Sequence, residues 1–391
     1  MKPGAVTGAG LNAHPPMHAI ERVLGAACNP RPSEAQAELL GRCVAGVRDW
    51  SNLSAHLAAH RLGPLLHWQL REYGISPPAP VRRLLAGLHL RQRGIAATQT
   101  SVLAELLARL AAAGIEAVVL KGGALAHAHY PDPALRPMDD LDLLVADAML
   151  VRTREQLLDM GLHAATPRNR YERRLHHWPV AFGVRNGVRI QIEVHRQVLN
   201  ARLGSGLTHA ALARPLQTFS VGDQTALALR HEQFLTTQLH RARHLSAPFR
   251  GIAFADLSAL AEAIATATDW SGPACLPATA RRALAVVQAL TPLSAAACTR
   301  LGLEAAATAG QITPTQAMFH GWPMPREALP PCANPPPRLR ATLAPSPRWI
   351  QLAYGCPAGL PTLLGWLFHH PVNALGQSLR RLGMGRAEAP G

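Results

Sequence analysis

Between Ile115 and Val145 the chain reads IEAVVLKGGALAHAHYPDPALRPMDDLDLLV, and few folds accept that order of residues. Ile115 to Leu120 is an apolar run of the length and β-branched character of a buried strand. It breaks at Lys121-Gly122-Gly123, passes through a short Ala/His segment, and resumes as a second apolar run carrying acids. In that second run Asp140 and Asp142 alternate with Leu141 and Leu143. Alternate residues of a strand share a face, so the spacing predicts two carboxylates on one side and two leucines turned to a core. Two carboxylates that close repel unless a proton or a cation lies between them. A hard divalent cation, usually Mg2+, is the common answer where phosphate is also present. The glycine pair lets a backbone approach an anion, and a helix starting there points its free N–H groups at it. Acid pair and glycine turn together predict a site for a nucleotide with its metal.

Composition narrows the alternatives. The 391 residues suffice for two domains or one large one, and 48% hydrophobic with 16% charged residues fits a globular chain rather than a disordered one. A formal charge of +15 points to an anionic partner, but Lys2 and Lys121 are the only lysines and the arginines are scattered rather than clustered. That pattern reads as coding bias more than as a binding surface. It also singles out Lys121, which lies against the double glycine. Six cysteines stand singly with no CxxC pair, and the first thirty residues lack the apolar core of a secretory signal, so the expectation is a cytoplasmic protein with reduced thiols. No apolar window reaches the length of a membrane span.

In chain order, residues 1–32 are Gly/Pro/Ala-rich and read as a flexible N-terminal arm. Residues 33–114 read as a helical lead-in. A run starts near Val81, and a separate helix is capped by Ser101, striped by Leu103, Leu106, Leu107 and Leu110, and ended by Gly114. Residues 115–200 form the strand-bearing core. Within it Asp147 begins a helix that Gly161 closes, and Asn186-Gly187 joins two alternating runs, the strongest short hairpin signal. In the outgoing strand Val188, Ile190, Ile192 and Val194 share one face, while Glu193 and His195 share the other. His176-His177 reads as a surface pair. Residues 201–322 read as helical, 323–347 carry nine prolines and read as a linker, and 348–391 read as a C-terminal helical segment and tail.

Leu120-Lys121-Gly122, Tyr130, Arg136, Asp140-Leu141-Asp142 and Glu193-Val194-His195 together resemble the signature of an uncharacterised nucleotidyltransferase family within the DNA polymerase β-like superfamily. The N-terminal Trp50, His60 and Pro64-Leu65-Leu66 resemble its helical lead-in, and His240 and Asp256-Leu257 fit a later helical part loosely. The specific likeness covers 115–195. It departs from the superfamily in the long interval from Gly123 to Asp140, and in Glu193 standing where an Asp is usual.

The resemblance implies an α+β fold, a small mixed β-sheet with helical N-terminal and C-terminal flanking parts. It implies that Asp140, Asp142 and Glu193 are the catalytic and metal-holding acids, with Mg2+ or Mn2+ between them and the phosphates of an NTP, probed first as ATP. Gly122 and Gly123 would offer backbone N–H groups to those phosphates, and Lys121 and Arg136 their cations. His195 would support the acids from behind rather than touch the reacting atoms. The implied reaction is transfer of a nucleotidyl group to a hydroxyl or amino group of a small-molecule, sugar or peptide acceptor.

Several of these residues also have plainer readings. Lys121 can be an exposed turn residue, Arg136 a salt-bridge partner of Asp139 or Asp132, and His195 a core histidine. The alternative at the level of the whole protein is a catalytically silent member of that fold, binding a nucleotide or a partner protein. Nucleic acid is not the expected partner, because basic runs interleaved with aromatics are missing and aromatics make up 5% of the chain.

Overall fold

The computed structural model describes residues 19–31, 33–167, 175–199, 207–244, 250–276 and 278–303. The Pro-rich segment 323–347, the segment 348–391 and the first 18 residues lie outside them.

Six strands form one mixed sheet in the order β3-β4-β2-β1-β6-β5. The chain enters it from α5 (Ala79–Ala112), a single helix of 34 residues. The two helices expected here are one, and Ser101 lies inside it rather than at a cap. Its last three turns carry the anticipated stripe of Leu103, Leu106, Leu107 and Leu110, all buried, and Gly114 closes it at φ +69°. Before it come α1 (Ala19–Ala26), α2 (Glu34–Ala45), α3 (Leu53–His60) and α4 (Gly63–Glu72). The first of these falls within the supposed flexible arm. Its Ile20, Val23 and Leu24 are buried, because the apolar residues of AIERVLGA recur at helical spacing and pack inward.

The centre of the sheet is β1 (Val118–Leu120) beside β2 (Leu141–Leu144), and both strands are buried throughout, which explains their nearly unbroken apolar sequences. The two are antiparallel, with Leu120 opposite Asp142. Between them α6 (Lys121–Ala128) and a short 3-10 turn (Pro133–Leu135) fill the long interval from Gly123 to Asp140. The helix α7 (Leu150–Asp159) follows a 3-10 turn begun by Asp147, and Gly161 ends it at φ +71° as expected. The hairpin of β3 (Ala181–Arg185) and β4 (Val188–His195) turns at Asn186 and Gly187, both with positive φ, as a two-residue hairpin loop requires. Its second strand lies parallel to β2, pairing Asp142 with Glu193.

Residues 207–303 are not wholly helical. β5 (Gln217–Val221) and β6 (Gln224–Ala228) form a second hairpin about Gly222-Asp223, and β6 joins β1 in parallel. A glycine at the first turn position with φ +59° is the signal for such a hairpin, and it interrupts the region expected to be helical. The helices α8 (His231–His244), α9 (Gly251–Ile264), α10 (Ala278–Leu290) and α11 (Ala295–Leu301) then complete the flank. Nearly all of α9 is buried. Among the described residues no helix is long and apolar enough to cross a membrane.

Candidate active site

The site forms where three strand ends share one row. Leu120 is in register with Asp142, and Asp142 with Glu193, so the residue after Leu120 emerges beside both acids. That residue is Lys121. It opens α6 with φ +47°, a conformation that ordinary side chains rarely adopt, and its chain folds back over the sheet end. The ammonium donates to Asp142 Oδ1 and, at 3.2 Å, to Glu193 Oε2. The plainer reading of an exposed turn lysine therefore does not hold.

His195 completes the cluster. Its Nε2 lies 2.8 Å from Asp142 Oδ1 and 3.2 Å from Glu193 Oε2, and its Nδ1 faces the Gln197 carbonyl at 3.3 Å. A carbonyl can only accept, so Nδ1 carries a proton; two carboxylates on the other nitrogen favour a proton there as well. Burial opposes that charge, as does the Lys121 ammonium 3.3 Å from Nε2, but the hydrogen bonds to Asp142 and Glu193 hold the imidazole above its ordinary pKa. Burial likewise would raise the Glu193 carboxyl, whereas the His195 hydrogen bond and the Lys121 ammonium drive it well below the usual carboxylate range.

Asp142, Glu193 and His195 each direct one potential ligand atom into a space where all three lie within 4.8 Å of one another. Asp142 is 1% exposed, and its Oδ2 is buried without a hydrogen-bond partner. A buried carboxylate with one oxygen unmatched among the described residues, on a residue clustered with a second carboxylate, suits a divalent cation. Asp140 stands outside this close cluster. It is half-buried at the mouth of β2, two residues before Asp142, near enough to Arg136 to favour that guanidinium's charge.

The glycine turn is tightly built. A Cβ on Gly122 would lie 2.4 Å from Arg136 Nη1, and one on Gly123 would lie 2.9 Å from Val119 Cγ1. Neither Asp139 nor Asp132 is the partner of Arg136. Its Nε and Nη2 each donate at 2.7 Å to the two carboxylate oxygens of Asp256 on α9. Asp139 pairs with Arg61 instead.

Two histidines read as surface residues belong here. The His176 and His177 rings lie 5.3 and 5.4 Å from that of His195. His177 pairs antiparallel with His195, continuing the β3 edge past Pro179. Burial, followed by its neighbours His177, His195 and Lys121, pushes His176 down to about 3, so it is neutral beside the acids. Counting the hairpin pairing outward from Asn186-Gly187 sets Trp178 against His195, one residue from the observed register, so this proximity was readable.

A sequence profile described as an uncharacterised nucleotidyltransferase matches residues 47–290. The chain belongs to this nucleotidyltransferase family. The match reaches from the helical lead-in through the sheet and into α10, so it includes every residue of the cluster. No curated protein matches the chain. Among solved structures it is similar to an antigenic nucleotidyltransferase-like protein from Paracoccidioides brasiliensis, at 15% identity, over 42% of this chain and 76% of that one, with a TM-score of 0.31. That likeness is too slight to inform the site. Membership of the family points to a nucleotide substrate and suggests transferase activity, and the mixed sheet flanked by helices is the fold that the resemblance implies.

Proposed function

We propose that the protein is a metal-dependent nucleotidyltransferase that moves a nucleotidyl group from an NTP to a hydroxyl or amino group of an acceptor. The observation that carries this reading is the meeting of Asp142, Glu193 and His195 around one point, with a buried Asp142 oxygen left unmatched. Asp142 and Glu193 would hold a divalent cation, Mg2+ or Mn2+, with Asp140 at the strand mouth as the third acid. Such an ion, when bound, neutralises phosphate charge and stabilises the entering and leaving oxygens of an in-line displacement.

The chain's own residues do the rest. Gly122 and Gly123, at the first turn of α6, offer backbone N–H groups to the phosphates. Lys121 neutralises the acids before the nucleotide arrives and can turn its ammonium toward the triphosphate afterwards. His195 orients Glu193 through its Nε2, and His176 stays neutral as a hydrogen-bonding group at the edge of the site. Arg136 acts through the turn it packs against.

One observation favours a second reading, a silent nucleotide-binding member: the Lys121 ammonium itself bridges Asp142 and Glu193. One experiment separates the two. The protein is incubated with each of the four NTPs and Mg2+ or Mn2+, and mass spectrometry follows pyrophosphate and any modified acceptor or self-modification. Pyrophosphate release that requires metal and is lost in Asp142→Asn supports the transferase. Nucleotide binding without turnover under every metal supports the silent member.

A further inference from the structure

We propose that Asp256, a residue of the helical flank, is a positioning residue for the nucleotide site, acting through Arg136 on the glycine turn. This inference rests on the transferase reading for its effect on substrate but not for its geometry.

The pair joins residues 120 positions apart and is buried, with Asp256 5% and Arg136 8% exposed. Both carboxylate oxygens accept from the guanidinium in the bidentate manner, and Tyr130 Oη donates to Oδ1 at 2.9 Å. One carboxylate therefore collects Arg136 from the approach to β2 and Tyr130 from just beyond α6. The remaining nitrogen of Arg136, Nη1, lies against Gly122, and Met138 Cγ would stand 3.2 Å from a Cβ there. The guanidinium is thus a plate between α9 on one side and the first turn of α6 on the other.

A buried ion pair is a poor device for stability alone, since well-packed apolar residues of similar volume often do as well. What it adds is a fixed distance and orientation. The segment it fixes is the one that matters for the site: Arg136 stands four residues before Asp140. Two further ties hold that segment, from Gln99 Nε2 to the Met138 carbonyl at 3.2 Å and from Arg61 to Asp139. Neither of those ties reaches the glycine turn, whereas the Arg136–Asp256 pair reaches both the turn and the entry to the acid strand.

The test uses the full chain and the double variant Arg136→Met/Asp256→Leu, which removes both charges while keeping volume. Hydrogen–deuterium exchange is followed at the amides of 121–126, alongside KM and kcat for NTP. The expected result is a folded protein whose exchange at 121–126 is faster by about tenfold, with β2 and β4 unchanged. KM for NTP rises by about tenfold with a smaller fall in kcat. Unchanged exchange at the turn in the folded double variant overturns the proposal. Should that variant not fold, Tyr130→Phe, which removes one hydroxyl, decides by the same readout: a smaller acceleration of about two- to threefold at the same amides supports it, and none overturns it. A wild-type protein that never consumes NTP would remove the transferase reading, while the exchange comparison still decides the role of Asp256.

Discussion

Lys121 Nζ stands 3.2 Å from Glu193 Oε2, although 72 residues separate them in the chain, and the same ammonium also bonds Asp142. A positive φ at the end of β1 turns this side chain back over the sheet. The acids thus hold an internal cation in the place where a divalent ion is proposed to bind.

Removing that cation has an expected signature. Lys121→Met leaves Asp142 and Glu193 without their ammonium, so Mn2+ measured by electron paramagnetic resonance in the absence of nucleotide should bind tighter by about tenfold or more. Turnover should fall at the same time. Equal Mn2+ affinity in variant and wild type would mean that lysine and metal do not compete.

Asp142→Asn retains shape but removes the charge. Pyrophosphate release should drop by about a hundredfold or more, because a group that holds charge in the transition state is lost. Circular dichroism should show an intact fold. Asp140→Asn should lower release as well, and Mn2+ affinity should respond less to it than to Asp142→Asn, since Asp140 lies outside the close cluster. Full activity in both variants would remove these acids from the mechanism.

Gly122→Ala forces a methyl group into contact with the Arg136 guanidinium. Overpacking of this kind destabilises by about 1–3 kcal/mol, which thermal unfolding would register. A second loss is expected in nucleotide affinity, because the backbone N–H groups of the turn move with it. An alanine variant with wild-type melting and wild-type affinity would show the turn to be looser than its geometry implies.

His60 gives a pH dependence outside the site. It is 4% exposed, and its Nδ1 accepts the Gly251 backbone N–H at 3.0 Å, so the neutral ring is the bonded form. Burial first, and His56 second, bring its pKa down from 6.5 to about 4. The folded state thus refuses a proton that the unfolded chain accepts. The stabilisation is complete above the unfolded value, declines as pH falls through the window from 6.5 to about 4, and is gone below it. Its full size is about 3 kcal/mol. Melting temperature should fall across that window, and His60→Gln should flatten the contribution. An identical pH profile in the variant would assign the loss to other groups.

Much of this arrangement is legible in the residues themselves. The strand, glycine turn and second strand of 115–145 follow from apolar runs and their interruptions, and Asn186-Gly187 fixes a hairpin whose alternation sends Glu193 and His195 to one face. What the sequence does not display is which partner each charge takes. Arg136 has acids within a few positions, yet it pairs with Asp256 from a helix 120 residues on, because that carboxylate is buried alongside the guanidinium. Asp140 and Asp142 look equivalent by alternation, but β2 begins at Leu141 and leaves Asp140 at its mouth. His176 and His177 are the exception: extending the hairpin pairing past Pro179 brings them to His195 within one residue of the observed register, although their polarity alone reads as surface.

The hairpin of β5 and β6 bears on where this protein can be cut. β6 lies alongside β1 on the side away from β2, so the short strand that launches Lys121 is interior only because residues 217–228 cover it. A fragment ending near residue 200 would leave the amides and carbonyls of β1 bare along an apolar margin, the kind of open border that recruits other chains. Such a fragment should precipitate rather than behave as a minimal catalytic unit, and the smallest independent piece must run past Ala228.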